Sequence, residues 1–313
     1  MEVSVIIAAH NVEKFVGRAI DSVIAQTFRD WEIIVVDDAS TDGTARTVED
    51  TGREDPRIRL LRHERNAGPA AARNTGLSAA NGKWIAILDA DDAWRPDRLQ
   101  RMLALAEATG VDFVADNQIL YDDALQREVG IARRIPGEWI PLTAEKLFES
   151  DETMRLGEMK PLIRHTFIVE NGLRYDAGLR FGEDLYFYAE LLIRGARAIL
   201  MAEPLYLYTT PLGFVSGRKS GGSRTVKRFD ILVRGADDLL KKHRGSLPPE
   251  LLEAIRAYRT RRHNQWATRE LTRLRNERRL VSLIAFTMSH PAQAIRYIAT
   301  SRTFRAIVKP FPR

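Results

Sequence analysis

Carboxylates gather at three places in this 313-residue sequence where they could do chemistry. Asp89-Ala90-Asp91-Asp92 sets three of them into four residues, directly after the apolar run Trp84 to Leu88. Like charges that close are costly at the end of a buried strand unless they are solvated, paired or metal-bound. Hard oxygen ligands on a loop suit Mg²⁺ or Mn²⁺ bridging a diphosphate. The plainer alternative is an acidic helix start ahead of Trp94 and Pro96. Asp37-Asp38-Ala39-Ser40-Thr41-Asp42 follows a second apolar run, Trp31 to Val36. A carboxylate there can accept a base N–H or a ribose hydroxyl, and Ser40 or a neighbour can cap the next helix at the same time. Glu183-Asp184 follows Arg180-Phe181-Gly182. An acidic pair at a helix start is favourable in itself, but one carboxylate can also deprotonate an acceptor hydroxyl while the other orients it.

Cationic candidates accompany these acids. Arg73, within Gly68-Pro69-Ala70-Ala71-Ala72-Arg73-Asn74, sits among small residues that permit close packing. It can bind a nucleotide, steady an aspartate, or face solvent. Lys160 and Arg164 either face an anionic acceptor or are structural. Arg218, Lys219 and Arg224 lie in a glycine-rich stretch that either closes over phosphates or is a solvated linker.

Some chemistries are excluded by absence. Without cysteine there are no disulfides, thiolate nucleophiles or Cys-ligated zinc. No G-x-G-x-x-G follows the first strand and no G-x-x-x-x-G-K-[ST] occurs, so nicotinamide redox chemistry and P-loop phosphoryl transfer lose their usual cradle.

The elements that must position these residues can be read from periodicity. Strands are predicted over Glu2–Ala9, Trp31–Val36, Ile58–Arg62, Trp84–Leu88 and Val111–Ala115. Helices are predicted over Glu13–Ala25, Thr41–Thr51, Gly68–Ala80, Pro96–Thr109 and Glu183–Arg194. Short strands buried on both faces and separated by helices indicate α/β layering around a mainly parallel sheet. Asp116 to Ser150 reads as an excursion at the sheet edge, and Pro211 to Thr225 as a loop. Thr225–His243 and Pro249–Arg279 read as helices.

Charge divides the chain. Residues 1–217 carry 25 basic and 35 acidic side chains, and residues 218–313 carry 23 and 7, so the balance turns from −10 to +16. This predicts two regions with different surface partners, 1–215 and a basic helical region over 216–313. In the latter, Trp266, Leu271, Leu274, Leu280, Leu283, Ile284 and Phe286 interleave with Arg269, Arg273, Arg275, Arg278 and Arg279. Such a segment either rests on an anionic membrane face or packs as a cap or homo-oligomer contact. No apolar run approaches the roughly 20 residues of a membrane span, and no signal peptide is evident at the start.

Taken together, the motifs Ser4-Val5-Ile6-Ile7-Ala8-Ala9-His10-Asn11, Val35-Val36-Asp37-Asp38-Ala39-Ser40-Thr41-Asp42-Gly43-Thr44, Asn66 to Asn74, Leu88 to Trp94 and Gly182-Glu183-Asp184 resemble family 2 glycosyltransferases, which have the GT-A fold. The resemblance covers roughly residues 1–215. Within the family the chain is similar to bacterial enzymes that build exopolysaccharide repeat units, particularly succinoglycan-type glucosyltransferases. The resemblance implies a UDP-sugar donor with Asp38 on the uracil, Asp37 nearby and Arg73 supporting the nucleotide. It implies Asp89 beside the ribose and sugar, Asp91 on Mn²⁺ or Mg²⁺, and Asp92 shaping the sugar pocket. Asp184 would be the general base of an inverting reaction, with Glu183 its neighbour. The acceptor would be a glycan hydroxyl, on a lipid-linked intermediate, and the setting the cytoplasm or the inner membrane face. No nucleic acid partner is expected. Against the pattern, Ala8-Ala9-His10-Asn11 replaces a Pro-x-Tyr-Asn type segment. No histidine lies between Tyr208 and Thr225, so the resemblance supplies no protein ligand beyond Asp91. A nucleotidyltransferase and a noncatalytic sugar-nucleotide or glycan binding protein are the rival readings.

Overall fold

A computed structural model describes residues 1–150, 154–210, 212, 216–220 and 228–300. The chain divides into two compact units, Met1–Val226 and Lys227–Arg313.

The first unit opens with β1 (Val3–Ala9), α1 (Glu13–Ile24), β2 (Trp31–Asp37), α2 (Thr44–Glu54), β3 (Ile58–Arg62), α3 (Pro69–Ala79) and β4 (Trp84–Asp89). Then come the two-residue β5 (Ala93–Trp94), α4 (Arg98–Thr109) and the long β6 (Phe113–Asp122). β7 (Arg127–Ile131), β8 (Trp139–Leu142), α5 (Ala144–Glu149), β9 (Leu162–Arg164), α6 (His165–Glu170), α7 (Glu183–Ile193) and β10 (Ala198–Thr209) complete it. The sheet runs β3-β2-β1-β4-β9-β6-β10-β5, with β7 on β6 and β8 on β10.

β1, β2, β3 and β4 are parallel neighbours, and β6 is parallel to β10. Hydrophobic burial on both faces explains why: β2 is buried at every position, and a strand without a polar face must be covered by helices on either side. Along β1, Val3, Val5, Ile7 and Ala9 join the larger core with Val16, Ile20, Leu99 and Met102, while Ile6 points to the face that carries α3. That second face is close-packed. A Cβ on Gly76 would lie 2.4 Å from Ile6 Cγ2. Gly76→Ala is therefore expected to cost about 1–3 kcal/mol in chemical denaturation. An unchanged midpoint would mean that α3 moves away from the sheet freely.

β9, a strand the sequence did not mark, adds an antiparallel member to the mainly parallel sheet. It pairs antiparallel with both β4 and β6, with Leu162 opposite Ala86 and Val114. The residues that lead into β9 therefore run toward the carboxyl end of β4, while β9 itself pairs with the amino end of β6. The region expected as an edge excursion holds the second half of β6, then β7, β8 and α5. α2 begins three residues later than predicted, because Asp42 Oδ1 accepts the Thr44 N–H and hydroxyl and so closes the local turn. Of the loop expected over Pro211 to Thr225, Leu212 bridges Lys219, and Arg224 lies outside the described residues.

The second unit is helical: α8 (Phe229–Lys242), α9 (Pro249–Asn276), α10 (Leu280–Ser289) and α11 (Pro291–Thr300). Pro249 opens α9, where its missing N–H costs nothing. Phe229, Leu232 and Leu239 of α8 and Leu251, Ile255 and Tyr258 of α9 form buried faces at helical spacing. No helix among the described residues is long and apolar enough to cross a membrane.

Candidate active site

β2 and β4 flank β1, and their registers set Asp37 beside Ala9 and Asp89 beside Ala8. At about 4.8 Å per strand, the two acidic motifs open about 10 Å apart at the same edge of the sheet. This is the edge at which ligands of open α/β sheets bind.

The centre of the site is a ring of charges. Arg73 of α3 donates to Asp89 Oδ1 at 2.8 Å and to Glu183 Oε1 at 2.6 Å. Its guanidinium also lies 3.0 Å from Asp184 Oδ1. Lys160 Nζ reaches Asp89 Oδ2 at 2.8 Å and Asp184 Oδ2 at 2.5 Å. Two cations thus bridge three carboxylates. Burial alone would raise the Asp89 pKa, but Lys160 and Arg73 more than offset this and hold it at about 2. Burial would likewise push Lys160 down, and Asp184 and Asp89 instead raise it above its ordinary value. Glu183 goes the other way: burial and the charge of Asp184 raise its pKa despite Arg73.

Asp184 stands apart in one respect. Its Oδ2 takes the Lys160 ammonium, whereas no hydrogen-bond donor among the described residues is aligned on its buried Oδ1. Gly182 in a left-handed conformation starts α7, so Glu183 and Asp184 fall in the first turn, where the helix dipole favours negative charge.

Lys160 is held by its backbone. Three consecutive carbonyls are fixed: Glu158 by Gln118, Met159 by the Tyr188 hydroxyl and Lys160 by Arg98. Arg98 is fully buried and forms a two-point pair with Asp116, at 3.0 and 2.7 Å. Its guanidinium lies over the rings of Trp94 and Tyr206, at 4.5 and 5.2 Å.

Asp92 is turned inward. Its carboxylate accepts the Tyr206 hydroxyl at 2.7 Å and the Thr209 N–H at 2.7 Å. Burial, then Asp91 and Asp89, push its pKa well up. Asp91 is different again. Its main-chain carbonyl is held by Arg18 and Thr209, but no cation among the described residues pairs with its carboxylate. Burial and the neighbouring charge of Asp89 push it up to about 7. No three metal-capable side chains gather among the described residues. A lone carboxylate raised by its anionic neighbour nevertheless fits a divalent cation that takes its remaining ligands from a diphosphate and water.

Asp37 and Asp38 belong to a second network. Asp38 accepts the N–H groups of Ala67 and Gly68, at 2.9 and 2.7 Å, and pairs with His63 Nδ1 at 2.7 Å. Asp37 is wholly buried; Ser40 N–H reaches its Oδ1 at 3.2 Å, and Arg62 lies 3.7 Å from its Oδ2. Asp38 thus organises the loop that begins α3, and through it the placement of Arg73, while Asp37 holds the turn at Ser40.

The structure therefore brings Arg73, Asp89, Glu183 and Asp184 into contact and sets Asp91 and Asp92 beside them. Lys160, which the sequence left between acceptor binding and a structural role, is part of the same ring. Arg164 is not: it pairs with Asp112 at 3.0 Å and stacks over Trp84 at 4.6 Å. Arg98, Asp116, Tyr206 and Thr209 were not singled out by sequence. Only an arginine and an aspartate at otherwise apolar helix and strand positions hinted at the Arg98–Asp116 pair.

Known proteins resemble this chain in sequence and in fold. Residues 4–158 match the family described as Glycosyl transferase family 2. The succinoglycan biosynthesis protein ExoU of Rhizobium meliloti (strain 1021) is 30% identical over 299 residues, covering 93% of this chain and 84% of ExoU. The succinoglycan biosynthesis protein ExoO of the same strain is 38% identical over 221 residues, covering 69% of this chain; the chain spans 62% of ExoO in that match. Residues 1–349 of S. aureus TarS in complex with UDP-GlcNAc superpose with a TM-score of 0.63 at 20% identity, over 87% of this chain and 73% of that one, a likeness of fold. With a sequence match across nearly its whole length and the fold in common, the chain belongs to glycosyl transferase family 2.

Proposed function

We propose that the chain moves a hexosyl group, glucose in the first instance, from a UDP-sugar to a hydroxyl of a glycan acceptor, with inversion at the anomeric carbon. The acceptor in this reading is a lipid-linked exopolysaccharide intermediate met at the inner face of the cell membrane. The observation that carries the chemistry is Asp184: a carboxylate fixed through Oδ2 by Lys160, with Oδ1 3.0 Å from the Arg73 guanidinium but with no hydrogen-bond donor among the described residues aligned on it. The related succinoglycan proteins support an exopolysaccharide role, and the UDP-GlcNAc complex of TarS supports a UDP donor.

The acceptor oxygen attacks the anomeric carbon from the face opposite the leaving diphosphate. Asp184 Oδ1 takes the hydroxyl proton as that bond forms. Lys160 and Arg73 hold Asp184 and Asp89 in fixed relation, so the base need not reorganise as charge moves. Glu183 keeps Arg73 in place, and Asp89 meets the ribose and sugar. Asp38 shapes the uracil pocket through the loop at residues 66–68, with Asp37 nearby, and Asp92 braces the sugar side through Tyr206. Mn²⁺ or Mg²⁺, held by Asp91, would supply Lewis-acid neutralisation of the diphosphate.

The test is a donor panel. Purified chain with Mn²⁺ and UDP-glucose, UDP-galactose, UDP-GlcNAc or GDP-mannose is assayed for nucleoside diphosphate release and for sugar transfer. Release of UDP and an inverted anomeric centre by NMR are expected. Pyrophosphate release would point to nucleotidyl transfer, a retained configuration would remove the single-displacement mechanism, and no turnover of any donor would defeat the proposal.

Asp91→Asn separates binding from stability. Calorimetry is expected to show the metal-dependent part of donor binding lost; equal loss with and without Mn²⁺ would reject Asp91 as a ligand. Without ligands the variant is expected to be more stable at neutral pH by about 1 kcal/mol, or roughly 2–4 °C, because the neutral amide escapes the cost of burying a charge and the repulsion by Asp89. The sign follows from the raised pKa of about 7. Ionised Asp91 is penalised only in the folded state, so the variant's advantage is full above pH 7. It shrinks as pH falls and is gone below the ordinary value of 3.8.

A further inference from the structure

We infer that α10 and α11 form a docking face for an anionic phospholipid bilayer. The inference deepens the proposed membrane setting by naming the face, and its test does not depend on glycosyl transfer.

The face is apolar and is left uncovered by the described residues of its own unit. On α10, Leu280, Val281, Ile284 and Met288 are 68, 83, 61 and 78% exposed. At 100° per residue these four positions fall within about 100° of arc, a single stripe. Ile295 and Ile298 add 69 and 39% exposure on α11. The other side of α10 has its partners: Phe286 stacks on His290 at 4.4 Å and meets Trp266 edge-on at 5.4 Å. The exposed stripe is therefore not the face that holds the unit together. Leu271 and Leu274, which the sequence pattern had grouped with it, are buried in the unit.

Charge selects the occupant. From Arg278 to Arg313 the sequence contains no aspartate or glutamate, but six arginines and one lysine. Arg278, with φ of 55°, forms the break between α9 and α10, so Arg278 and Arg279 immediately precede the stripe along the chain. A second copy of the chain would bring two segments of surplus positive charge against one another. Anionic headgroups supply the missing counter-charge, and acyl chains accept the apolar residues. α10 has ten residues, about 15 Å of helix, so it lies on a bilayer and does not cross it.

The experiment is flotation of the full chain with vesicles of phosphatidylcholine alone or with about 30% phosphatidylglycerol, at about 0.1 and 0.5 M NaCl. Binding to the anionic vesicles at low salt is expected, falling at least about tenfold at high salt and on neutral vesicles. Ile284→Gln/Met288→Gln is expected to lower binding at least about tenfold at both salt concentrations. Arg278→Gln/Arg279→Gln is expected to weaken binding and flatten its salt dependence. Both pairs are exposed, and helical circular dichroism matching the parent chain verifies folding. Equal binding to neutral vesicles, or no loss in the apolar variant, would overturn the inference. A concentration-dependent dimer abolished by the apolar substitutions, without vesicle binding by the parent, would assign the face to a second copy instead.

Discussion

Asp184→Asn is expected to lower turnover by about 10² to 10⁴ while leaving donor affinity nearly unchanged. The amide keeps the size of the side chain but cannot take the acceptor proton. The surrounding charges remain supported, since Lys160 keeps Asp89, and Arg73 keeps Asp89 and Glu183. The loss should therefore appear in kcat, and donor binding measured by calorimetry should match the parent chain. Turnover equal to the parent would remove Asp184 from the role of base. A parallel loss of donor binding would instead mean that the ring of charges had collapsed. Glu183→Gln provides the comparison: it removes one arm of the Arg73 clamp without touching Asp184 Oδ2, so a smaller loss is expected.

Arg98→Met is expected to destabilise the first unit by about 3–5 kcal/mol, because Asp116 is left as a buried charge without its partner. Both side chains are almost wholly inaccessible, at 0 and 1% exposure. The measurement is the denaturant midpoint followed by tryptophan fluorescence, to which Trp94 beneath the guanidinium contributes. Adding Asp116→Leu should recover much of the loss, since an apolar pair of similar volume carries no desolvation cost. A loss below about 1 kcal/mol in the single variant would show that Asp116 finds water or another partner. The double variant has a second use. Arg98 also holds the Lys160 carbonyl, so a chain restored in stability but still slow in turnover would reveal how much catalysis depends on that one backbone contact.

The catalytic edge was legible because its signals are local. An apolar run followed by aspartates marks a buried strand and its exit, and the strands and helices around Asp37 and Asp89 stand close to where periodicity set them. Sequence motifs also nominated Arg73, Glu183 and Asp184. Their order along the chain, however, contains no distance.

Long-range pairing decided the rest. Arg73 and Glu183 are 110 residues apart, and their contact exists only because α3 and α7 meet at one edge of the sheet. Lys160 makes the point most directly. Were β9 parallel to β4, as the early alternation of strands and helices suggests, the residue preceding it would lie at the far end of the sheet from Asp89. In the observed antiparallel register, with Leu162 opposite Ala86, Lys160 comes level with the end of β4. Its charge is then offset by Asp89 and Asp184 together. The sequence by itself determined which side chains could carry charge and where strands would end. The tertiary structure decided which charges meet, because the cost of burying each one is relieved only by partners that folding brings from distant parts of the chain.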